Sequence, residues 1–238
     1  MWVQISFSLL VIYVGVCFYK AVDYVHKKEG LSSKEISKKK KRFLGIFAGW
    51  LLYTAGITFS GIIADFSLPP KMPLLIILPT FVSIAWFLKS DASDLYLKHI
   101  PKQYAYYYQG FRVPVELSIY GLYLMGIGPV HVTFAGYNYE IVGSMLIVLV
   151  GLGVYQFSVL PQVIAYVINY IGLALLAIIV AIFMICGFFP EFLGQSSPLI
   201  SYDFFSVPYT YLASVLMPSA VFVHCFSIVQ YHKFKDLF

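Results

Sequence analysis

The chain has 238 residues, 60% of them apolar and 11% charged, with a net charge of +5 and a mean hydropathy of +0.82. A water-soluble domain is roughly 45–50% apolar and 25% charged, so water is not the only solvent of this protein. Its cations stand in short segments beside apolar runs, where they set orientation and attract lipid headgroups, and no nucleic acid is expected as a partner.

A membrane-spanning helix needs about 20 mostly apolar residues. Segments of that kind lie near 2–22, 43–64, 72–88, 113–134, 139–158, 162–188 and 208–230. The expected fold is all-α: one polytopic transmembrane helical bundle of seven spans, a single integral membrane domain over 1–238. Threading from an outside N-terminus places Lys20, Lys27, Lys28, Lys34, Lys38 to Lys41, Arg42, Lys89, Lys98, Lys102, Arg112, Lys233 and Lys235 inside, and Lys71 outside. The positive-inside rule then makes the C-terminus cytoplasmic. No Lys or Arg precedes Lys20, so the first run reads as a retained helix rather than a secretory signal. Absence of an Asn-x-Ser/Thr sequon leans towards a bacterial inner membrane. Cys17, Cys186 and Cys225 fall inside apolar runs and read as packing residues, not a disulfide framework.

In chain order, the hydrophilic segment 23–42 reads as a basic cytoplasmic loop. Its run Lys38, Lys39, Lys40, Lys41 and Arg42 serves as a topology signal and a contact for anionic headgroups. Gly45 and Gly49 form a GxxxG that lets a neighbouring helix approach, within the bundle in the first instance or between copies in a homo-oligomer. Asp65 reads as an interface residue. Tyr104, Tyr106, Tyr107 and Tyr108 read as an aromatic belt at headgroup level. Arg112 and Glu116 stand four residues apart on one helix face. With Pro114 in the first turn, Arg112 sits at the inner interface and Glu116 about 6 Å deeper. Gly121, Gly126, Gly128 and Pro129 free backbone groups in that span, a pattern tolerated only against protein or a cavity. His131, Asn138 and Glu140 bracket the outer turn that follows. Between Ile141 and Phe189 the one plausible turn lies at Tyr155 to Gln162, and the last span carries Pro218 and His224.

Ionisable and polar groups in spans mark sites by default. The candidates are Arg112, Glu116, His131, Asn138, Glu140 and His224. The leading expectation is a small-solute transporter or channel whose polar pathway these residues line. Two alternatives stand beside it. One is an integral membrane enzyme acting on a lipid or quinone, with His131, Glu140 or His224 as acid or base. The other is a non-catalytic assembly subunit, whose polar residues would pair entirely with one another. No metal motif is present, His131 and His224 fall at different depths for a haem, and the residues leave any cofactor unspecified. The last span has no Lys for a Schiff base, which separates the chain from retinal proteins.

Ser158-Val-Leu-Pro161-Gln162 resembles the proline-glutamine dipeptide of the PQ-loop and sugar-transporter group. The resemblance implies a three-plus-one-plus-three arrangement of seven spans with an outside N-terminus. Pro73 with Pro79 and Pro208 with Pro218 open spans three and seven alike, as a parallel repeat requires. The first span departs from the group's pattern in having no proline.

Overall fold

The computed structural model describes residues 1–234, which form helices joined by turns and by longer connections that carry 3₁₀ and π-helical segments, with no strand among the described residues. Lys235, assigned to the inner side above, lies outside the described residues. The helices are α1 (Trp2–Lys28), α2 (Ser33–Phe59), α3 (Leu78–Lys89), α4 (Asp91–His99), α5 (Lys102–Tyr108), α6 (Arg112–Leu124), α7 (Glu140–Gly151), α8 (Gln162–Phe188) and α9 (Met217–Lys233). Four helices are long and apolar enough to cross a membrane: Trp2–Lys28, Ser33–Phe59, Gln162–Phe188 and Leu212–Lys233. A fifth is added if Pro73–Lys89 and Asp91–His99, bent by 76°, count as one span. Glu140–Gln156 is shorter.

The hydrophilic segment 23–42 is not a loop. α1 continues to Lys28 and α2 starts at Ser33, leaving only a turn between them. Ser32 and Glu35 close a reciprocal capping box at the start of α2, which satisfies two of its free amides. Asp23 then bridges the hairpin, pairing with Lys27 at 2.6 Å and Lys40 at 2.8 Å. The run Lys38 to Arg42 is thus a helical extension of α2. His99 meets Glu29 at 2.8 Å, and Lys233 pairs with Asp94. These contacts gather the lysine-bearing ends of α1, α2, α4 and α9 at one end of the bundle. Lys71 pairs instead with Asp65, beyond the far end of α2, and that cation holds the exposed Asp65 carboxyl down to about 2.

The helical run expected as a fourth span is displaced from its expected position. α5, one 3₁₀ turn at Gln109–Phe111 and α6 run on from Lys102 to Leu124, so the polypeptide is helical eleven residues earlier than expected and stops ten residues sooner. It stops because Gly126 adopts a left-handed φ of 73°. That conformation lets the Gly126 amide bond Tyr123 O and the Ile127 amide bond Leu122 O, a Schellman ending that satisfies the last carbonyls. In consequence Tyr106 and Gln109 are buried inside the bundle, not at headgroup level, whereas Tyr104 is 53% exposed.

Two prolines widen helices and find their compensation on α2. Pro79 and Pro218 have no amide to donate, and their rings press on the carbonyls four residues earlier, Leu75 and Ser214. Each is preceded by a π-helical turn, Pro73–Ile77 and Leu212–Leu216. The Tyr53 hydroxyl donates to Leu75 O at 3.0 Å, and Trp50 Nε1 donates to Ser214 O at 2.9 Å. The two rings stack 5.2 Å apart. One turn of α2 therefore supplies the donors that both broken helices lack. The face of α2 that carries the two glycines is bare: no described residue lies within 4 Å of a Cβ built at Gly45 or Gly49. The GxxxG expected to pack inside the bundle has no such neighbour, because α1 takes the Phe47 side of the helix, where Gly15 meets that ring.

Candidate functional site

The buried faces of α6, α8 and α9 and the first turn of α7 build one polar cluster around the Arg112 guanidinium. On α6 the buried positions Arg112, Val115, Glu116 and Ile119 follow the helical repeat, so the two charged residues share the face that the apolar ones pull inward. On α8 the buried stripe is Ala165, Ile168, Asn169 and Gly172, and on α9 it includes Ala220, Val223, His224 and Ser227. Gly172 permits the contact of α8 with α9: a Cβ there would stand 2.4 Å from His224 Cε1.

Arg112 is 3% exposed and ion-pairs through Nη2 with Glu140, itself 2% exposed. Its Nη1 donates to His224 Nε2 at 3.2 Å. A guanidinium has no acceptor, so His224 Nε2 carries the lone pair and the ring is neutral, with its proton on Nδ1. His224 Nδ1 donates that proton to Asn169 Oδ1 at 2.9 Å. Asn169 Nδ2 in turn donates to Tyr106 Oη at 2.9 Å and to Ala165 O at 2.8 Å. Ser227 Oγ donates to Tyr106 Oη at 3.0 Å, and the tyrosine hydroxyl donates to Ala165 O at 2.8 Å.

Glu116 pairs with a different partner. Asn138 Nδ2 donates to Glu116 Oε2 and also to Val132 O, the latter at 3.0 Å. Asn138 Oδ1 accepts the Glu140 amide at 2.9 Å, so one side chain both holds Glu116 and starts α7. That start places Glu140 in the first turn of α7, where the helix dipole favours a negative charge.

The structure thus unites five of the six expected residues: Arg112, Glu116, Asn138, Glu140 and His224. Three of them are more buried than expected: Arg112, placed above at the inner interface, is 3% exposed, and Asn138 and Glu140, placed at the outer turn, are each 2% exposed. His131 does not join them; its ring lies tilted at 39° to that of Tyr137, 5.7 Å between centroids, and its Nδ1 has no partner among the described residues. Tyr106, Asn169 and Ser227 complete the cluster and were not anticipated. Asn169 had a legible signal, being the one amide in the middle of the most apolar helix of the chain.

Among the described residues Arg112 is the only buried Lys or Arg, while Glu116 and Glu140 are both buried. One fixed cation faces two carboxylates, and Glu140 Oε1 has no hydrogen-bond partner. All three charged residues border a cavity of about 110 Å3, whose remaining wall is apolar, including Phe111, Ile119, Leu176, Ile179, Phe183 and Leu216. The chain matches no family model, no curated protein and no solved structure. A low-dielectric site with one carboxylate in excess takes up a proton, a cation or a hydrogen-bond donor, and disfavours an anion.

Proposed function

We propose that this is an integral membrane protein that binds a lipophilic molecule with a hydrogen-bond-donating head, of the lipid or quinol class, and that Glu140 meets the head. The observation that carries the reading is the unpartnered Glu140 Oε1, buried beside Arg112 on an otherwise apolar cavity. A dry engineered cavity of about 150 Å3 accepts benzene. At about 110 Å3 this one suits a head and its first few carbons. As a carboxylate already held by Arg112, Glu140 is placed to accept a proton from the head and return it. Seven spans, an outside N-terminus and a bacterial cytoplasmic membrane belong to the same proposal, supported by the lysines gathered at one end.

The test uses three probes of one chain length in lipid nanodiscs: dodecanol, dodecylamine and dodecanoic acid. The alcohol and the amine should raise the midpoint of thermal unfolding and the acid should not, and Glu140→Gln should weaken the amine effect tenfold or more. Preference for the acid, or indifference to all three, overturns the proposal.

A second reading, proton-coupled transport of a small solute, has one observation in its favour. The cavity is bordered by Pro73, Leu212 and Leu216, which belong to two π-helical turns, and such turns recur at functional sites. On this reading Glu116→Gln abolishes proton flux in dye-loaded proteoliposomes while the fold persists; unchanged flux removes Glu116 from the pathway.

A further inference from the structure

A second pocket, larger than the first and sharing no residue with it, lies at the lysine-bearing end. We infer that it holds an acyl chain of an anionic phospholipid, with the phosphate at Lys20. The inference does not depend on the chemistry proposed for Glu140.

The pocket measures about 690 Å3 and lies between the C-terminal half of α1, the α4–α5 corner and α9. Small-molecule sites run to about 300–1,000 Å3, so this volume is that of a ligand site and not a packing defect. Its wall is aromatic and aliphatic, with Phe18, Phe87, Tyr107 and Phe222 among the rings. Lys20 is the one charged residue in the wall, and no carboxylate lines it. Lys27, Lys40 and Lys233 all have carboxylate partners, whereas Lys20 forms no ion pair with any described residue. A lone cation on an apolar pocket complements a ligand with an anionic head and a hydrocarbon tail. The level is also right for a headgroup, because the ion pairs of Asp23 with Lys40 and Glu29 with His99 mark the same end of the bundle. Tyrosines such as Tyr24 and Tyr104 at the pocket supply the amphipathic rings that favour that depth.

This assignment separates the pocket from the neighbouring basic run. Lys38 to Arg42 on the exposed start of α2 would attract any anionic surface, without selecting one lipid molecule. The pocket would hold a single lipid.

The experiment is native mass spectrometry of the full chain, delipidated in detergent and then mixed with equimolar palmitoyl-oleoyl phosphatidylglycerol and phosphatidylcholine, with free oleate as a third probe. The expected result is one retained phosphatidylglycerol per chain, favoured at least fivefold over phosphatidylcholine. Lys20→Gln should bring that ratio close to one, and Ala21→Trp, which fills the pocket, should remove the retained lipid. Replacing Lys38, Lys39, Lys40 and Lys41 together by Gln should leave the retained phosphatidylglycerol in place. Equal retention of the two lipids by the wild type, oleate bound in place of phosphatidylglycerol, or a preference lost with the four-lysine variant and kept in Lys20→Gln would each overturn the inference.

Discussion

Arg112 divides one guanidinium among an ion pair to Glu140, a hydrogen bond to His224 and the nearby field of Glu116. Removing it leaves two carboxylates in a dry site, and breaking one side of a buried pair costs about 3–5 kcal/mol. Arg112→Met should therefore lower stability by that amount, read from unfolding in mixed micelles. Glu140→Gln should cost less, about 1–3 kcal/mol, because the cation keeps Glu116 as a counter-ion and only one buried hydrogen-bonding arrangement is disturbed. Equal losses for the two variants would mean that Glu116 gives Arg112 no support. Arg112 and Glu116 were legible as candidates because charge is expensive in a span. Their partners were not. Spacing on α6 put the two on one helix face and left open whether they pair with each other; Arg112 pairs with Glu140, and Asn138, a residue of the following turn, takes Glu116. That choice is made by tertiary folding of 125–139, which no periodicity in the sequence encodes. Tyr106 was hidden for a related reason: in a run of tyrosines, the one whose hydroxyl finds buried partners looks like those that stay at the interface.

At the scale of elements, the turn near Tyr155 to Gln162 could be read directly, and α8 does begin at Gln162 after Pro161. The end of α6 could not, because a glycine in an apolar run is compatible with either a continuing span or a Schellman stop, and only the chain beyond decides. The prolines of spans three and seven were visible as breaks, but the donors that tolerate them lie on α2, far away in sequence. Trp50 is the more consequential of the two: its bond to Ser214 O is partly buried, while that of Tyr53 to Leu75 O is exposed. Trp50→Phe keeps a ring on α2 and removes the donor, leaving a carbonyl unpaired next to Pro218. The expected loss is about 1–3 kcal/mol, with Tyr53→Phe near the low end of that range or below it. Hydrogen exchange locates the effect: protection should fall around 212–217 in Trp50→Phe. An unchanged exchange pattern there would show that the π-helical turn does not depend on α2.

For the whole molecule, the decisive quantity is which side each end faces. Four helices pass as spans by length and composition, five with the bent pair, and seven are reached only if Lys102–Leu124 and Glu140–Gln156 also cross. The continuous run of α5, the 3₁₀ turn and α6 is 23 residues from Lys102 to Leu124, and Glu140–Gln156 is 17 residues, at the short end of the 17–25 that a bilayer requires. Both are packed against other helices, so interior polar groups such as Arg112 and Glu140 meet protein rather than lipid. Ion pairs place Lys40 and the α4 residues Asp94 and His99 at one end, with Lys71 beyond the other. If that axis is the membrane normal, single cysteines in a background with Cys17, Cys186 and Cys225 replaced by serine should report opposite sides. Lys38→Cys and Lys98→Cys should resist an impermeant maleimide added to intact cells and react after permeabilisation. Lys71→Cys should react in intact cells. Labelling of Lys98→Cys before permeabilisation would place α4 on the outer side and reduce the crossings between α2 and α5 to an even number, and the lysines would then no longer share one face of the membrane.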